Sequence, residues 1–147
     1  MKIDLAGKIA VITGGAAGIG QACARLMVEN AAQVVIADIA EEEGARAATE
    51  LSTIGRCHFI STDVSRDESA RDLVKQVVDE FEKIDIFVNN AGVAVSGQHR
   101  VCIHEFPDEE WERVIGTDLN GVFYCSRAVS QVMIGQGGGR QVVVLPR

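Results

Sequence analysis

Runs of apolar, often β-branched residues alternate along the chain with segments whose apolar residues recur at helical spacing. This alternation is typical of parallel βαβ units, in which each helix carries the chain back across the sheet. The apolar runs predict five strands, at Ile9–Thr13, Val34–Ala37, Cys57–Ser61, Ile84–Asn89 and Gln141–Leu145. We therefore expect an α/β fold with a parallel sheet.

Helical patterns fill the intervals between the predicted strands. One apolar face of the first helix is formed by Ile19, Cys23, Leu26 and Met27. The second helix, from Glu41 to Thr53, is rich in Ala and Glu, which places it on an exposed flank.

The third and fourth helices carry clearer signals. Apolar residues of the third recur at i, i+3 and i+4 spacing, and Ser65 with Glu68 has the spacing of a capping box at its start. This apolar face is formed by Ala70, Leu73, Val74, Val77, Val78 and Phe81. The fourth helix begins after Phe106, where Pro107 and three acidic residues are typical of a helix N-terminus, and runs to about Gln136.

The strands show little alternation of polar and apolar residues, as in "VVIA" at 34–37 and "VVV" at 142–144. Strands of a parallel sheet have this pattern when helices cover both faces. The last strand therefore requires cover on both faces, and we expect the cover of one face to come from residues beyond 147. The alternative is a short edge strand that is tolerated as it stands.

Length and composition indicate one soluble domain spanning residues 1–147. No apolar stretch approaches the roughly 20 residues of a membrane span, and the start lacks the order of a secretory signal, so we expect a cytoplasmic location. The net charge of -7 and the absence of a basic stripe argue against nucleic acid and anionic membranes as partners.

Cysteine and histidine spacing gives no sign of a disulfide framework or a metal site. The four cysteines, Cys23, Cys57, Cys102 and Cys125, are far apart and form no C-x-x-C pair, so we expect reduced thiols. The grouping of His99, Cys102 and His104 matches no usual zinc-ligand spacing. We therefore assign no metal-binding residues.

A glycine-rich turn, "TGGAAGIG" at 13–20, lies directly between the first strand and the first helix. Such a turn needs glycine where φ is positive and where a pyrophosphate approaches the backbone, and Gly14, Gly18 and Gly20 meet these needs. Free N–H groups at the helix N-terminus would then bind the phosphates. The alternative is a tight connection without a ligand.

Asp38 directly follows the second predicted strand, about twenty residues after the glycine turn. A carboxylate at this position accepts hydrogen bonds from the ribose hydroxyls of adenosine and repels a 2′-phosphate. NAD is therefore favoured over NADP as the cofactor. The alternative is a solvated residue at a strand end.

The turn's spacing, T-G-x-x-x-G-x-G, resembles that of classical short-chain dehydrogenases/reductases. Three further stretches resemble the same family: "DV" at 63–64, "NNAG" at 89–92 and "WERVIGTDLNGVF" at 111–123. The resemblance covers essentially the whole chain and implies a Rossmann-type, doubly wound parallel sheet with strand order 3-2-1-4-5. Because the family continues with further strands and helices, it also implies a C-terminally truncated member that lacks the second half of the fold.

The resemblance assigns positions along a bound dinucleotide. It implies the pyrophosphate at Ile19 and Gly20, the adenosine ribose at Asp38, the adenine at Asp63 and Val64, and a ribose beside Asn90, Ala91 and Gly92.

The family's catalytic Ser and Tyr-x-x-x-Lys have no counterparts here. The single tyrosine, Tyr124, is followed four residues later by Ala128 and falls within the fourth helix. We therefore expect no catalytic residues. The resemblance implies descent from an NAD-dependent oxidoreductase that acts on an alcohol or carbonyl. We expect this isolated chain to be inactive. It would take a substrate only if the missing half is supplied.

The family's catalytic Asn is also altered. Asp118 occupies its position, seven residues after Trp111, while Asn120 lies on another helix face. Asp118 shares a predicted stripe with Trp111, Ile115 and Val122 and is expected to be largely buried. It is either a tolerated substitute for Asn or a position without catalytic demand.

Two alternative functions stay open. In the first, the chain is a non-catalytic NAD-binding module; in the second, it is an interaction fragment. In the second case, it is half of a split enzyme or a chain that associates, with itself or a partner, through its last strand.

Overall fold

Strands and helices alternate along the computed structural model, which describes residues 3–95, 97 and 101–144. Strands β1 to β5 span Ile9–Thr13, Gln33–Asp38, Cys57–Ser61, Ile86–Asn89 and Arg140–Val143. Helices α1 to α5 span Gly18–Glu29, Glu41–Leu51, Asp67–Phe81, Asp108–Val114 and Gly121–Gly135. A 3₁₀ turn spans Ile103–Glu105, and a π-helical segment, Ile115–Asn120, joins α4 to α5.

The five strands form one parallel sheet in the order β3-β2-β1-β4-β5, which confirms the predicted order. The order reverses at β1, between β2 and β4. Thr13 pairs with Ala37 of β2, and Ile12 pairs with Val88 of β4, so three strands end side by side. In open α/β sheets, a crevice for ligands forms at such a reversal.

Apolar side chains cover both faces of the central strands. In β1, Ala10 and Ile12 belong to the core formed with α1 and α2, whereas Ile9 and Val11 belong to the core formed with α3 and α5. The sheet is therefore doubly wound, which explains why its central strands are apolar at successive positions.

β5 is more exposed than the central strands. All four of its residues are exposed, including Val142 at 48% and Val143 at 46%. Within the described residues, it pairs with β4 alone. It starts one residue before the predicted Gln141 and ends at Val143, and the predicted end, Leu145, lies outside the described residues.

β4 begins at Ile86 and not at the predicted Ile84. Gln136 explains the difference, because its Oε1 accepts the N–H of Ile84 at 3.2 Å and its Nε2 donates to the Ile84 carbonyl at 2.7 Å. A side chain thus replaces a strand partner at this residue, and regular pairing starts two residues later. The other differences are small: β2 is one residue longer than predicted at each end, and α2 ends at Leu51.

The predicted apolar face of α1 is wrong. The helix buries Gly20, Ala24 and Val28. Ile19 and Leu26, which were expected inside, are 69% and 60% exposed, while Cys23 and Met27 are partly buried at the edge of the core. Small residues at i, i+4 spacing let the helix backbone lie close to the sheet. The buried face is therefore the one that allows this close packing, and not the one with the largest apolar side chains.

The predicted capping box of α3 is also wrong. The N-cap is Arg66, which makes no side-chain capping bond. Ser65 instead donates its hydroxyl to Asp63 Oδ1 at 2.6 Å, and Glu68 pairs with Arg66 at 3.6 Å. Ser65 also donates its backbone N–H to the same Asp63 oxygen. Both polar groups of Ser65 are thus bonded within a local turn, and its hydroxyl does not cap the helix.

The fourth predicted helix is continuous from Asp108 to Gly135 but contains the π-helical segment. A π-helical turn adds a residue to the hydrogen-bonded ring and shifts the phase of the residues that follow. The predicted stripe is therefore wrong: Trp111 is 57% exposed and Asp118 is only partly buried.

Candidate functional site

The glycine turn lies at the carboxyl end of β1, where α1 begins. Gly18 has φ of +56°, and a Cβ added there would meet nothing within 4 Å, so the residue faces open space. At Gly20, an added Cβ would lie 2.2 Å from the carbonyl oxygen of Gly14. Gly18 therefore shapes the turn and leaves room above it, whereas Gly20 allows α1 to pack on the turn.

Asn90, directly after β4, joins the end of that strand to the glycine turn. Its side-chain Nδ2 donates to the carbonyl oxygens of Thr13 at 3.1 Å and Gly14 at 3.0 Å. In return, the Thr13 hydroxyl accepts the backbone N–H groups of Asn90 and Ala91, both at 3.1 Å. Thr13 is 1% exposed and was not among the predicted site residues, although its position in the motif could have identified it.

Asp38 holds two backbone segments at the end of β2. Its Oδ2 accepts the N–H of Ala16 in the glycine turn, and its Oδ1 accepts the N–H of Ala40, both at 3.0 Å. The carboxylate is thereby fixed beside the turn. Each carboxylate oxygen has two lone pairs, so each retains capacity for one further donor.

Asp63 and Val64 follow β3 on the same side of the cleft. Asp63 Oδ1 accepts two bonds from Ser65, and the backbone N–H of Asp63 donates to the Ser69 hydroxyl at 3.0 Å. Val64 is 8% exposed and packs so closely on Gly121 that a Cβ there would lie 2.9 Å from its Cγ2. Both residues are therefore rigidly held.

These strand ends enclose a cleft of ≈ 1250 Å³, larger than the roughly 300–1,000 Å³ common for small-molecule sites. Nine of the ten predicted cofactor-binding residues line it: Gly14, Gly18, Ile19, Asp38, Asp63, Val64, Asn90, Ala91 and Gly92. Gly20 is the exception, since it is buried beneath the turn.

The β4 side of the cleft contains residues that the sequence did not identify. Arg113 of α4 lines the cleft, bonds Glu110 through Nε and Nη2 at 2.9 Å each, and donates from Nη2 to the Ala94 carbonyl at 2.8 Å. Its hydrogen bond to Glu110 raises the pKa of Arg113. The i, i+3 pairing with Glu110 is visible in the sequence, but the contact with Ala94 is not.

Asp118 lies near the same wall but does not line the cleft. Its Oδ1 accepts the backbone N–H of Val93 at 2.8 Å. Asp118 thus holds the segment that follows β4. Tyr124 lies elsewhere, packed against the core of α3 and α5 with the Arg127 guanidinium 5.8 Å from its ring centroid.

Neither a metal-binding cluster nor a cysteine lines the cleft in the described part of the chain. No group of three His, Cys, Asp or Glu side chains there is arranged to hold a metal ion, and His99 lies outside that part. All four cysteines are described and free of disulfides, and burial raises the pKa of Cys57 to about 11 and of Cys125 to about 12. No helix of the described residues is both long and apolar enough to cross a membrane.

Comparison with known proteins identifies the family. The model of the short chain dehydrogenase family matches residues 8–145. The chain belongs to this family. An uncharacterised oxidoreductase from Thermotoga maritima is 43% identical to this chain over 136 residues, which are 92% of the chain and 52% of the relative. The chain spans about half the length of the curated relatives it matches.

Solved structures of short chain dehydrogenases share the fold and include complexes with both nicotinamide cofactors. An NAD⁺-bound xylitol dehydrogenase has a TM-score of 0.89 and 28% identity, with 95% of this chain and 53% of that chain covered. A metagenomic short-chain oxidoreductase in complex with NADP has a TM-score of 0.89 and 27% identity, with 95% and 62% covered. The family therefore binds nicotinamide cofactors, and these likenesses do not distinguish NAD from NADP.

Proposed function

We propose that this chain binds NAD in the cleft, in preference to NADP. The observation that carries the proposal is the position of Asp38, which lines the cleft and is hydrogen bonded to the glycine turn through Ala16. An adenosine ribose beside Asp38 would place its attached pyrophosphate over the turn and the start of α1. The remaining lone pairs of the carboxylate are suited to ribose hydroxyls.

The charges around the cleft support NAD over NADP. A 2′-phosphate on the same ribose would face the negative charge of Asp38, and the next residue is the exposed, uncharged Ile39. Among the described residues that line the cleft, Arg113 is the single Lys or Arg, and it belongs to the β4 side. A 2′-phosphate at the β2 side would therefore have no cation from these residues.

The start of α1 fits a pyrophosphate. The N–H groups of a helix's first turn have no acceptor within the helix, and this first turn contains no acidic residue. The open space at Gly18 leaves room for phosphate oxygens to approach these N–H groups. A bound nicotinamide would supply hydride-transfer chemistry.

Calorimetric titration of NAD and NADP into the purified chain and an Asp38→Asn variant tests the proposal. The variant keeps an acceptor oxygen but loses the charge, so the preference for NAD should fall by about tenfold, equivalent to about 1.4 kcal/mol. Asp85→Asn is the matched control, because Asp85 also accepts a backbone N–H, from Ile9, at the opposite end of the sheet. An unchanged preference in Asp38→Asn, or no NAD binding by folded protein, would contradict the proposal.

We also propose that these 147 residues bind the dinucleotide without turning over an alcohol. Proton transfer needs an acid or base at the reacting atom. Tyr124 is partly buried against the core of α3 and α5 and does not line the cleft, and Asp118 is engaged with Val93. Incubation with NAD and a panel of secondary alcohols should give no reduced nicotinamide by absorbance, and sustained formation would overturn this proposal.

A second candidate function, association through β5, is favoured by the exposure of that strand. Its outer edge has no strand partner in the described residues, and both Val142 and Val143 are half exposed. Unpaired apolar edges pair with other chains. Light scattering during size-exclusion chromatography should show a species larger than a monomer. Val143→Lys should shift it to the monomer, whereas Ile54→Lys, at an exposed turn before β3, should not.

A further inference from the structure

A three-residue contact, which we call the Arg113 bridge, connects Glu110, Arg113 and the backbone of Ala94. Glu110 is 6% exposed, and its two carboxylate oxygens each accept a bond from Arg113 at 2.9 Å. The guanidinium Nη2 also donates to the Ala94 carbonyl at 2.8 Å. A side chain of α4 thus holds the loop that follows β4.

The geometry of the bridge fits the support of a loop better than the capture of an anion. A guanidinium is a planar fork that binds a carboxylate through two parallel bonds, which sets its orientation. Here the buried carboxylate of Glu110 sets that orientation and counters the charge of Arg113. The remaining donor capacity of Nη2 is directed at Ala94.

The position of the bridge gives it a consequence for the ligand. Ala94 and Arg113 line the β4 side of the cleft, whereas Asp38 and Asp63 line the side formed by β2 and β3. The glycine turn of β1 lies between the two sides. If the adenosine lies at Asp38 and the pyrophosphate over the turn, the second half of the dinucleotide must extend to the β4 side.

We propose that Arg113 is a positioning residue that fixes the β4-side wall of the cleft for the nicotinamide half of the dinucleotide. This inference rests on the proposed function and adds the residue that prepares one half of its site. A wall held in place before binding lowers the ordering cost of binding. Loss of the bridge should weaken ligands that reach this wall and leave ligands confined to the β2 side unaffected.

Two ligands separate these effects: NAD, and ADP, which contains the adenosine and pyrophosphate but no second ribose or nicotinamide. In calorimetric titrations, Arg113→Met should weaken NAD by about tenfold and change ADP by less than about twofold. Arg113→Lys keeps the charge but lacks the fork, so it should resemble Arg113→Met. Glu110→Gln, a milder change that keeps one acceptor oxygen, should fall between wild type and Arg113→Met.

Arg127→Met is the matched control. Arg127 is similarly exposed (46% against 41% for Arg113) and similarly paired, to Asp67, but it lies on α5 and does not line the cleft. It should leave both affinities unchanged. Equal weakening of NAD and ADP by Arg113→Met, or wild-type NAD affinity in Arg113→Lys, would overturn the inference alone. Failure of the folded wild type to bind either ligand would overturn the proposed function and the inference together.

Discussion

The side-chain amide of Asn90 donates a hydrogen bond to the carbonyl oxygen of Gly14 at 3.0 Å, across 76 positions of sequence. The same nitrogen donates to the Thr13 carbonyl at 3.1 Å. One amide therefore fixes the glycine turn of β1 to the end of β4. Since these two segments border the cleft at the point where the strand order reverses, its shape depends on this contact.

Replacing Asn90 by Ala should destabilise the fold and weaken dinucleotide binding together. Two carbonyl oxygens lose their donor, which we expect to lower the free energy of unfolding by about 1–3 kcal/mol. Urea unfolding measures this change. Asn30→Ala is the control, because Asn30 Nδ2 donates to the nearby, exposed Leu26 carbonyl, and we expect a loss below about 1 kcal/mol. Equal losses in the two variants would contradict the importance of the Asn90 contact.

The two later glycines of the turn should respond differently to alanine. Gly18→Ala adds a methyl group to open space at positive φ. The positive φ should cost about 1–2 kcal/mol of stability, and the methyl group should hinder the approach of a phosphate. Gly20→Ala places a Cβ against the Gly14 carbonyl oxygen and should be the more destabilising change. Thermal unfolding and NAD titration of both variants test this. A folded Gly18→Ala variant with full NAD affinity would contradict the pyrophosphate assignment.

Asp118 should tolerate Asn but not Ala. An Asn side chain retains the oxygen that accepts the Val93 N–H, so Asp118→Asn should change the free energy of unfolding by less than about 0.5 kcal/mol. Asp118→Ala leaves that N–H without its acceptor and should cost about 1–2 kcal/mol. Chemical denaturation of the two variants gives the comparison. Equal losses of stability in the Asn and Ala variants would mean that Asp118 stabilises the fold through its charge and not through its bond to Val93.

Asp85 should contribute to acid sensitivity. Partial burial acts to raise the pKa of Asp85, but bonds from the Ile9 N–H, Lys83 and Lys8 outweigh it, so the pKa is lowered from 3.8. A carboxyl with a lowered folded-state pKa contributes stability above its unfolded pKa and loses it as pH falls through the folded value. The stability difference between wild type and Asp85→Asn should therefore be constant near neutrality and shrink below about pH 4. Denaturation at several pH values measures it, and a difference independent of pH would contradict the assignment.

Local patterns predicted the alternation of strands and helices, and the family resemblance of the motifs implied the strand order and most of the cleft residues. The glycine turn and Asp38 were identified from residues next to a strand end, and the resemblance added the segment after β4. All three follow strands, and parallel strands bring such ends to one edge of the sheet. Because the order 3-2-1-4-5 places β2 and β4 on either side of β1, contiguous motifs became neighbours in space. Nine of ten predicted residues line the cleft for this reason.

Features that depend on how closely two elements approach were not predictable in this way. The buried face of α1 follows from contact at Gly20, and the π-helical segment changes the phase of the fourth predicted helix after Val114. The bond from Arg113 to Ala94 joins a helix to a loop whose conformation no local propensity specifies. The pattern of residues shows which side chains avoid water. It does not give the distance between packed backbones or the partner of each buried polar group. Both depend on the whole assembled chain, because both are set by steric fit between segments distant in sequence.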